Sequence, residues 1–470
     1  MTPADQRVPF RTKIAYGIGA VAYGIKENGY TTFLLLFYNQ VVGLPAGTVG
    51  LIVAGALIFD ALLDPVVGFL SDRTHTRWGR RHPWLYASAL PIGLSWALLW
   101  NPPQGSEATV LGWLGIVAVC TRAAITMNEV PSLAIAPEMT PDYHERTAVL
   151  RYRYLFGWAG GLMMLMLAYG VFLPVMSGAA ALTGFSNYGL FGAVVMTLTV
   201  LISAIGTHRE QAKPPPTRIA PQPASETVHQ LKETLSNRAF VVLMVAGLFG
   251  YVNQGVGFAI SQYNLNFVWQ LSGGQLQLYA LALLSGMVAM FFAVMPIVRL
   301  LGKIRASMIL AVGSALFVCA SYVLRLYGIF PEIGSPMLLP VFLGFNTTGT
   351  ALGIGALMIG ASMMSDVVEA SEEQTGRREE GLFFAGTLLM QKASTALGIG
   401  IAGQILQWAQ FPANAIAGKV PVAVLDSYTL AFVLVTLTFG TLSALAIRRF
   451  PFGEAEHRAR VAKLAVASDN

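Results

Sequence analysis

Apolar residues dominate long stretches of this chain, and polar residues are concentrated in the short segments between those stretches. Each stretch has at least ~18 residues, which is long enough for an α-helix to cross the hydrocarbon core of a bilayer. The pattern therefore predicts an all-α membrane protein with twelve transmembrane helices. The predicted spans lie near residues 14–39, 46–70, 84–102, 109–136, 148–174, 186–206, 240–268, 276–300, 305–326, 336–364, 381–409 and 422–447.

Basic residues are distributed asymmetrically among the connections between these spans. The connections after even-numbered spans carry most of the lysines and arginines, whereas those after odd-numbered spans carry little beyond Lys419 and the membrane-proximal Arg325. Basic connections stay on the cytoplasmic side of a membrane. Because both termini are also basic, we predict that both are cytoplasmic, as an even number of spans requires.

The longest polar segment divides the spans into two groups of six. It covers residues 209–237 and contains KPPPTRIAPQPAS, a proline-rich stretch typical of an exposed linker. A faint repeat supports two related halves, because GFLSDRTHTRWGRR follows span two and VRLLGKIRAS follows span eight. We predict an N-terminal half at 1–208, the cytoplasmic linker at 209–237, a C-terminal half at 238–450 and a cytoplasmic tail at 451–470.

Composition narrows the class of protein. The chain is 55% hydrophobic and 11% charged, with a mean hydropathy of +0.60, whereas a soluble domain carries about 25% charged residues. We therefore expect a multi-pass protein of the cytoplasmic membrane, embedded in lipid and without a cleavable signal peptide. The net charge of +6 comes from scattered loop residues and does not predict nucleic-acid binding. Cys120 and Cys319 lie in separate apolar segments and predict neither a disulfide nor a zinc site.

The sequence contains no Walker loop, dinucleotide fingerprint or nucleophile elbow. We therefore expect no enzyme activity, no cofactor and no metal other than a transported Na⁺. All six histidines lie in or beside cytoplasmic connections, which argues against a histidine proton relay through the membrane. We expect the chain to function as a monomer.

Two carboxylates interrupt the second apolar span. Asp60 and Asp64 are four residues apart, so a helix places both on one face. A charged group at membrane depth costs at least ~2.5 kcal/mol, and such groups usually mark a functional site. The pair is typical of a site that binds a travelling cation. The alternative is that either aspartate only braces the loop or hydrogen-bonds the other half.

Several motifs resemble one transporter family. DALLDPVVGFLSDRTHTRWGRRHPW and SDVVEASEEQTGRREEGLFFAGTLLMQKASTALG are similar to two segments of the glycoside–pentoside–hexuronide:cation symporters, a family of the major facilitator superfamily. KIAYGIGAVAYG, FYNQVVGLP and VPSLAIAPEMTPDYHERT also match, in order. The resemblance implies the major facilitator fold of two six-helix halves and transport of a small organic solute with a monovalent cation.

The resemblance also implies which residues bind the cation. Asp60 and Asp64 match cation-binding carboxylates of the melibiose permease-like members, and Glu129 matches another acidic position, with Thr126 one turn earlier. Oxygen ligands of this kind suit Na⁺, and neighbouring carboxylates also suit a proton. Leu63 stands where the family pattern has an asparagine, which weakens the case for Na⁺. The sequence therefore does not choose between H⁺ and Na⁺ as the coupled ion. Glu129 could bind either the ion or the solute.

Four further residues are candidates for solute binding. Tyr23 stands where the family has the lysine of its sugar-binding Lys-Asp pair, and Glu27, one turn later, could take over the polar contact. Arg153 fits the family arginine of span five, although it could instead reach the cytoplasmic interface. Lys392 matches the family lysine of span eleven. The alternatives are internal ion pairs: one between Lys26 or Glu27 and a residue such as Arg122, and one that fixes Lys392 to the other half.

The cytoplasmic motifs predict a gate. Charged residues at facing helix ends would pair when the inner side is closed and separate when it opens. Contact of Arg77 or Arg80 with lipid phosphates is the alternative. The predicted gate residues are Asp72, Arg73, Arg77, Arg80, Arg81, Glu138, Asp366 and Glu369.

The sequence thus predicts a cation-coupled symporter that moves a sugar, glycoside or uronide by alternating access. Family tryptophans that stack on sugars are replaced by Leu133 and Leu357, so Tyr30, Trp158, Tyr263 or Trp269 would have to supply the aromatic surface. The alternatives are a lysolipid-like or other amphipathic solute, and a membrane sensor that binds a ligand without transporting it.

Overall fold

A computed structural model of the chain describes residues 8–140, 143–173, 178–210, 237–375 and 380–451. Within these ranges the extended secondary structure is helical and contains no β-strand, which confirms the predicted all-α class. The α-helices are α1 Phe10–Gly19, α2 Val21–Asn28, α3 Leu34–Leu36, α4 Ala46–Arg73, α5 His82–Leu99, α6 Glu107–Met139, α7 Tyr143–Leu167, α8 Gly178–Thr207, α9 Arg238–Tyr263, α10 Gly273–Leu301, α11 Lys303–Leu326, α12 Leu338–Thr375, α13 Glu380–Trp408 and α14 Val422–Ile447.

The length and the apolar composition of most helices are those of membrane-spanning helices. In the described part of the chain, nine helices are long and apolar enough to cross a bilayer, namely α4, α6 to α12 and α14. The predicted spans one, three and eleven correspond to α1–α3, α5 and α13. The count of twelve spans and the cytoplasmic location of the termini stay predictions.

Span one is a series of short helical pieces. α1 and α2 meet at Ala20, and π-helical turns at Gly29–Phe33 and Phe37–Val41 flank the three-residue α3. A π turn adds a residue to the helical repeat and is frequent at functional sites. The side chains that follow each π turn are therefore rotated relative to those before it.

Close contacts divide the chain into two compact units. The first contains Met1–Arg218, Phe258–Gln277 and Ile399–Val420, and the second contains Ile219–Gly257, Leu278–Gly398 and Pro421–Asn470. The first unit thus includes, besides the first six predicted spans, parts of spans seven and eleven. The division into sequence halves at 209–237 stays a prediction.

In the first unit, α4 packs on α6, α5 packs on α6 and α8, and α1 and α2 pack on α7. Small residues allow the last of these contacts, because a Cβ at Gly24 would collide with the backbone of Gly157 and Gly161. Packing through small residues is the common way for transmembrane helices to approach closely. The predicted span one is therefore held against span five by backbone proximity.

A cluster of aromatic rings packs within the first unit. The rings of Trp100 and Phe185 stack with centroids 5.5 Å apart, and Phe37, Tyr188 and Phe33 pack around them. Aromatic contacts of this size stabilise a fold beyond the burial of their area. They fix the region of π turns in span one against α5 and α8.

In the second unit, α11 packs on α12 and α14. A Cβ at Gly255 of α9 would meet the backbone of Thr395 in α13, so these two helices also approach closely through glycine. A buried apolar cluster that includes Phe240, Met363 and Phe383 forms the core of this unit.

The ends of spans one and seven have the same local structure. In span one, Val42 N–H bonds to the Phe37 carbonyl at 3.0 Å, and Leu44 N–H bonds to that of Tyr38 at 2.9 Å. In span seven, the π turn Asn264–Val268 is followed by the same pattern, with Trp269 bonded to Asn264 and Leu271 bonded to Leu265, both at 2.9 Å. This shared backbone pattern supports the internal repeat predicted from the sequence.

Candidate functional site

The two aspartates of α4 lie on one face and share a neighbour from α6. Asp60 is buried, with 1% of its surface exposed, whereas Asp64 is half-buried. The Thr126 hydroxyl lies beside both: it is hydrogen-bonded to an Asp60 oxygen and is 3.4 Å from Asp64 Oδ1. The structure thus brings together three of the four residues predicted to bind the cation.

Arg122 completes this group, although it was not among the predicted site residues. Its Nη2 forms an ion pair with Asp60 Oδ2, and the side chain is 3% exposed. The guanidinium also lies 5.1 Å from the centroid of the Tyr30 ring. Arg122 is one turn before Thr126, so the i, i+4 spacing that singled out the aspartates could also have identified it.

Glu129, the fourth residue predicted to bind the cation, contacts Lys26. Its carboxylate lies 3.4 Å from Lys26 Nζ, and the same ammonium lies 3.3 Å from Glu27. The alternative from the sequence was an internal pair of Lys26 or Glu27 with a charge on another span, such as Arg122, and Lys26 does lie beside a charge of span four, Glu129. Among the described residues, no three His, Cys, Asp or Glu side chains are close enough to hold a metal ion. Glu129 therefore belongs, in this structure, to the lysine cluster.

Tyr23 and Arg153 lie in one buried polar cluster. The Arg153 guanidinium is 4.6 Å from the centre of the Tyr23 ring and donates to Ser132 Oγ at 2.7 Å. The Tyr23 hydroxyl donates to Asn128 at 2.5 Å, and Asn128 donates to Ser88 at 2.9 Å. Arg153 is 5% exposed. Its location among aromatic rings and hydroxyls suits solute contact better than contact with the interface.

Glu27 and Lys392 have different surroundings. The Glu27 side chain is 55% exposed, which leaves its carboxylate accessible beside the buried Lys26. Lys392 is half-buried on α13 in the second unit. Solute binding by either residue stays a prediction.

The loop after α4 forms a charged cluster within the first unit. Arg81 is paired with Asp72 and lies 3.2 Å from Glu138, which is also 2.9 Å from Arg80. Arg81 donates to Ser71 Oγ at 2.6 Å. The Arg81 side chain is 9% exposed and that of Glu138 is 23% exposed, so this contact is shielded from solvent more than the one with Asp72, which is 57% exposed.

A tight turn precedes these arginines. Gly79 has φ of 81°, and its N–H bonds to the Thr76 carbonyl at 3.0 Å, so glycine suits this position. Arg73 lies over the Phe69 ring at 3.9 Å, and Arg77 is exposed. The predicted gate arginines therefore differ in their contacts: Arg80 and Arg81 bind carboxylates, whereas Arg73 contacts a ring.

The second unit contains a matching ion pair. Lys303, the first residue of α11, lies 2.7 Å from both oxygens of Asp366 in the C-terminal part of α12. In the predicted repeat, span eight would correspond to span two and span ten to span four, and Lys303–Asp366 would then correspond to Arg81–Glu138. The side chain of Glu369 lies outside the described residues. Pairing across the halves, as the gate requires, stays a prediction.

The aromatic candidates for a sugar surface differ in exposure. Tyr30, Tyr263 and Trp269 are each at most 1% exposed, whereas Trp158 on α7 is 66% exposed. Leu133, which replaces a family tryptophan, is 38% exposed. Trp158 therefore has the most accessible ring of the four.

The family of this chain follows from its similarity to known proteins. Residues 15–454 match the family model described as MFS/sugar transport protein. The chain belongs to this family. The resemblance to glycoside–pentoside–hexuronide:cation symporters of the major facilitator superfamily is thereby confirmed.

Curated relatives cover nearly all of the chain. The putative glycoside/cation symporter YagG of Escherichia coli is 27% identical, over 91% of this chain and 89% of its own length. The isoprimeverose transporter of Lactiplantibacillus pentosus is 23% identical, over 94% and 88%. The sphingosine-1-phosphate transporter MFSD2B of Mus musculus is 32% identical, but only over 34% of this chain and 32% of its own.

Solved structures agree on the fold. The crystal structure of a D-xylose-proton symporter has a TM-score of 0.64 and 14% identity, and the match covers 94% of this chain and 98% of that one. This likeness confirms the major facilitator fold. The protein is a multi-pass membrane transporter of the cytoplasmic membrane, and its family and structural neighbours are transporters and not enzymes.

Proposed function

We propose that this protein is a cation-coupled symporter that takes up a sugar, glycoside or uronide by alternating access. A monovalent cation, H⁺ or Na⁺, would move down its gradient and drive accumulation of the solute. The name of the YagG relative supports both the glycoside and the cation.

The Asp60–Thr126–Asp64 arrangement carries the proposal. The two carboxylates lie on one face of a predicted membrane-spanning helix and share the Thr126 hydroxyl; Arg122 neutralises Asp60, and Asp64 with Thr126 would offer oxygen ligands to a small cation. The two aspartates differ in burial, because Asp60 is enclosed and Asp64 is half-buried. We assign reversible cation binding to Asp64, with Thr126 as its oxygen neighbour.

The solute would bind next to this group. Tyr23, Glu27 and Arg153 come from the predicted spans one and five, Arg153 lies over the Tyr23 ring, and Lys26 lies beside Glu27 and Glu129. Polar groups of both signs suit the hydroxyls of a sugar, and Arg153 also suits the carboxylate of a uronide. Lys392 of span eleven is the candidate from the other half.

Counterflow in proteoliposomes tests the solute class. Protein is reconstituted with a high internal concentration of one glycoside, uronide or lysolipid, and entry of the labelled compound is followed. We expect counterflow with at least one glycoside or uronide. If a lysolipid is taken up and no sugar shows counterflow, the transported solute is amphipathic, which is the second candidate, the runner-up.

The runner-up is favoured by one observation, the match to the sphingosine-1-phosphate transporter over about a third of the chain. A non-transporting sensor is the third candidate. It predicts ligand binding without accumulation and a dispensable Asp60–Asp64 pair. Imposed pH and Na⁺ steps on the first confirmed solute identify the driving ion.

A further inference from the structure

The buried pair between Arg122 and Asp60 leads to an inference about the coupling ion. We infer that Arg122 serves as a built-in cation at Asp60 and excludes Na⁺ from this carboxylate. Asp64 and Thr126 then lack the second carboxylate that a Na⁺ site would share with them, so transport is independent of Na⁺. This inference rests on the proposed symport function, which it deepens by naming a residue that determines ion specificity.

The first support is the location of the charge. Arg122 Nη2 contacts Asp60 Oδ2, while Thr126 contacts the other oxygen, Oδ1. A Na⁺ ion at Asp60 would need these same oxygens as ligands. The guanidinium therefore competes with the ion for one of the two oxygens, from a position only one helical turn before Thr126.

The second support is burial. Arg122 and Asp60 have side chains that are 3% and 2% exposed, so the pair is screened little by solvent. Removing one charge of a buried pair leaves the other uncompensated, whereas removing both is often tolerated. Without Arg122, the Asp60 carboxylate would need another positive charge, and Na⁺ is abundant and small enough to supply it.

The third support is how Arg122 is held. Its Nε and Nη1 are buried and have no hydrogen-bond partner among the described residues, and the nearby Tyr30 hydroxyl likewise has none. Among the described residues, the ion pair with Asp60 and the contact with the Tyr30 ring therefore hold its guanidinium. Because Arg122 is held mainly through the Asp60 carboxylate, its guanidinium takes the place that a bound cation would have beside this carboxylate.

The experiment measures Na⁺ dependence in wild type and in Arg122 variants. Counterflow of the confirmed solute and binding of ²²Na⁺ to purified protein are recorded while NaCl replaces choline chloride at constant ionic strength. We expect wild type to show no Na⁺ response. Arg122→Ala and Arg122→Gln should bind Na⁺ and show counterflow that rises several-fold with NaCl, whereas Arg122→Lys should behave as wild type.

Two controls make the result specific. The double variant Asp60→Asn/Arg122→Ala removes both charges, and we expect it to fold without any Na⁺ response. Arg325→Ala removes an arginine from a pair with Asp426, 3.3 Å away in the second unit, and should leave Na⁺ dependence unchanged.

Either of two results overturns the inference. One is Na⁺ binding or Na⁺ stimulation in wild type, which can be measured even when no single Arg122 variant folds. The other is a folded Arg122→Ala or Arg122→Gln protein that performs counterflow without Na⁺ binding. Failure of the proposed function looks different: wild type would then show no counterflow with any solute, while the ²²Na⁺ measurement would still report on Arg122.

Discussion

The hydroxyl of Tyr263 donates a hydrogen bond of 2.8 Å to the side-chain oxygen of Asn39. Both residues are buried, and they come from the ends of the predicted spans seven and one, which share the same backbone pattern. The sequence dipeptide Tyr-Asn occurs at both ends, at 38–39 and at 263–264. The end of the predicted span seven therefore contacts the end of the predicted span one at the predicted outer side.

We predict that this bond favours closure of the outer side. Tyr263→Phe removes one net hydrogen bond, worth about 0.5–1.5 kcal/mol, and so shifts the equilibrium by about 2- to 10-fold towards outer opening. The measurement is labelling of Asn266→Cys by a membrane-impermeant thiol reagent, in a background without Cys120 and Cys319. Labelling should rise in Tyr263→Phe. An unchanged labelling rate would contradict the prediction, and Tyr327→Phe, an exposed tyrosine, is the control.

Asp64→Asn should abolish uphill accumulation of the solute but retain counterflow. Accumulation needs a charge that binds and releases a cation, whereas exchange of solute at equal concentrations needs no net cation movement. The two assays are run on the same proteoliposomes. Asp426→Asn alters an exposed aspartate in the second unit and should retain both activities. Full gradient-driven uptake by Asp64→Asn would remove this residue from the coupling site.

Lys26 and Glu129 should be energetically coupled. Lys26→Met leaves the Glu129 carboxylate without its lysine, and Glu129→Gln leaves the Lys26 ammonium without this carboxylate. Each single substitution should lower the free energy of unfolding by about 1–3 kcal/mol. The double variant should lose less than the sum of the two, with a coupling of about 0.5–3 kcal/mol. Wild type, the two single variants and the double variant are compared by heating each protein and measuring the fraction that remains folded by size-exclusion chromatography. Additive losses would show that the 3.4 Å contact contributes nothing.

Gly24→Ala should destabilise the protein. A side chain at Gly24 collides with the backbone of Gly157 and Gly161, which cannot yield as a flexible side chain would. Overpacking of this kind costs about 1–3 kcal/mol or more, so the melting temperature and the yield of monodisperse protein should fall. Gly112→Ala is the matched control, because a Cβ there meets nothing within 4 Å. Equal behaviour of the two variants would argue against close packing of α2 on α7.

The sequence by itself determined the fold class and identified the charged and hydroxyl side chains that are candidates for the site. A helix rises by a constant ~1.5 Å per residue, so the length of an apolar stretch decides whether it can cross a bilayer, and i, i+4 spacing decides which side chains share a face. These are local properties of the chain. They placed Asp60 and Asp64 together, and they located Lys26, Thr126 and Glu129 on helices predicted to cross the membrane.

Only the tertiary structure decided which charges neutralise each other. Asp60 pairs with Arg122 across 62 residues, and Lys26 pairs with Glu129 across 103 residues. Such partners depend on how α4, α6 and the broken span one pack, and glycine contacts and π turns set that packing without changing the charge pattern. Because Coulomb attraction between buried groups depends on their separation in space, the sequence identified the charges but could not assign their partners.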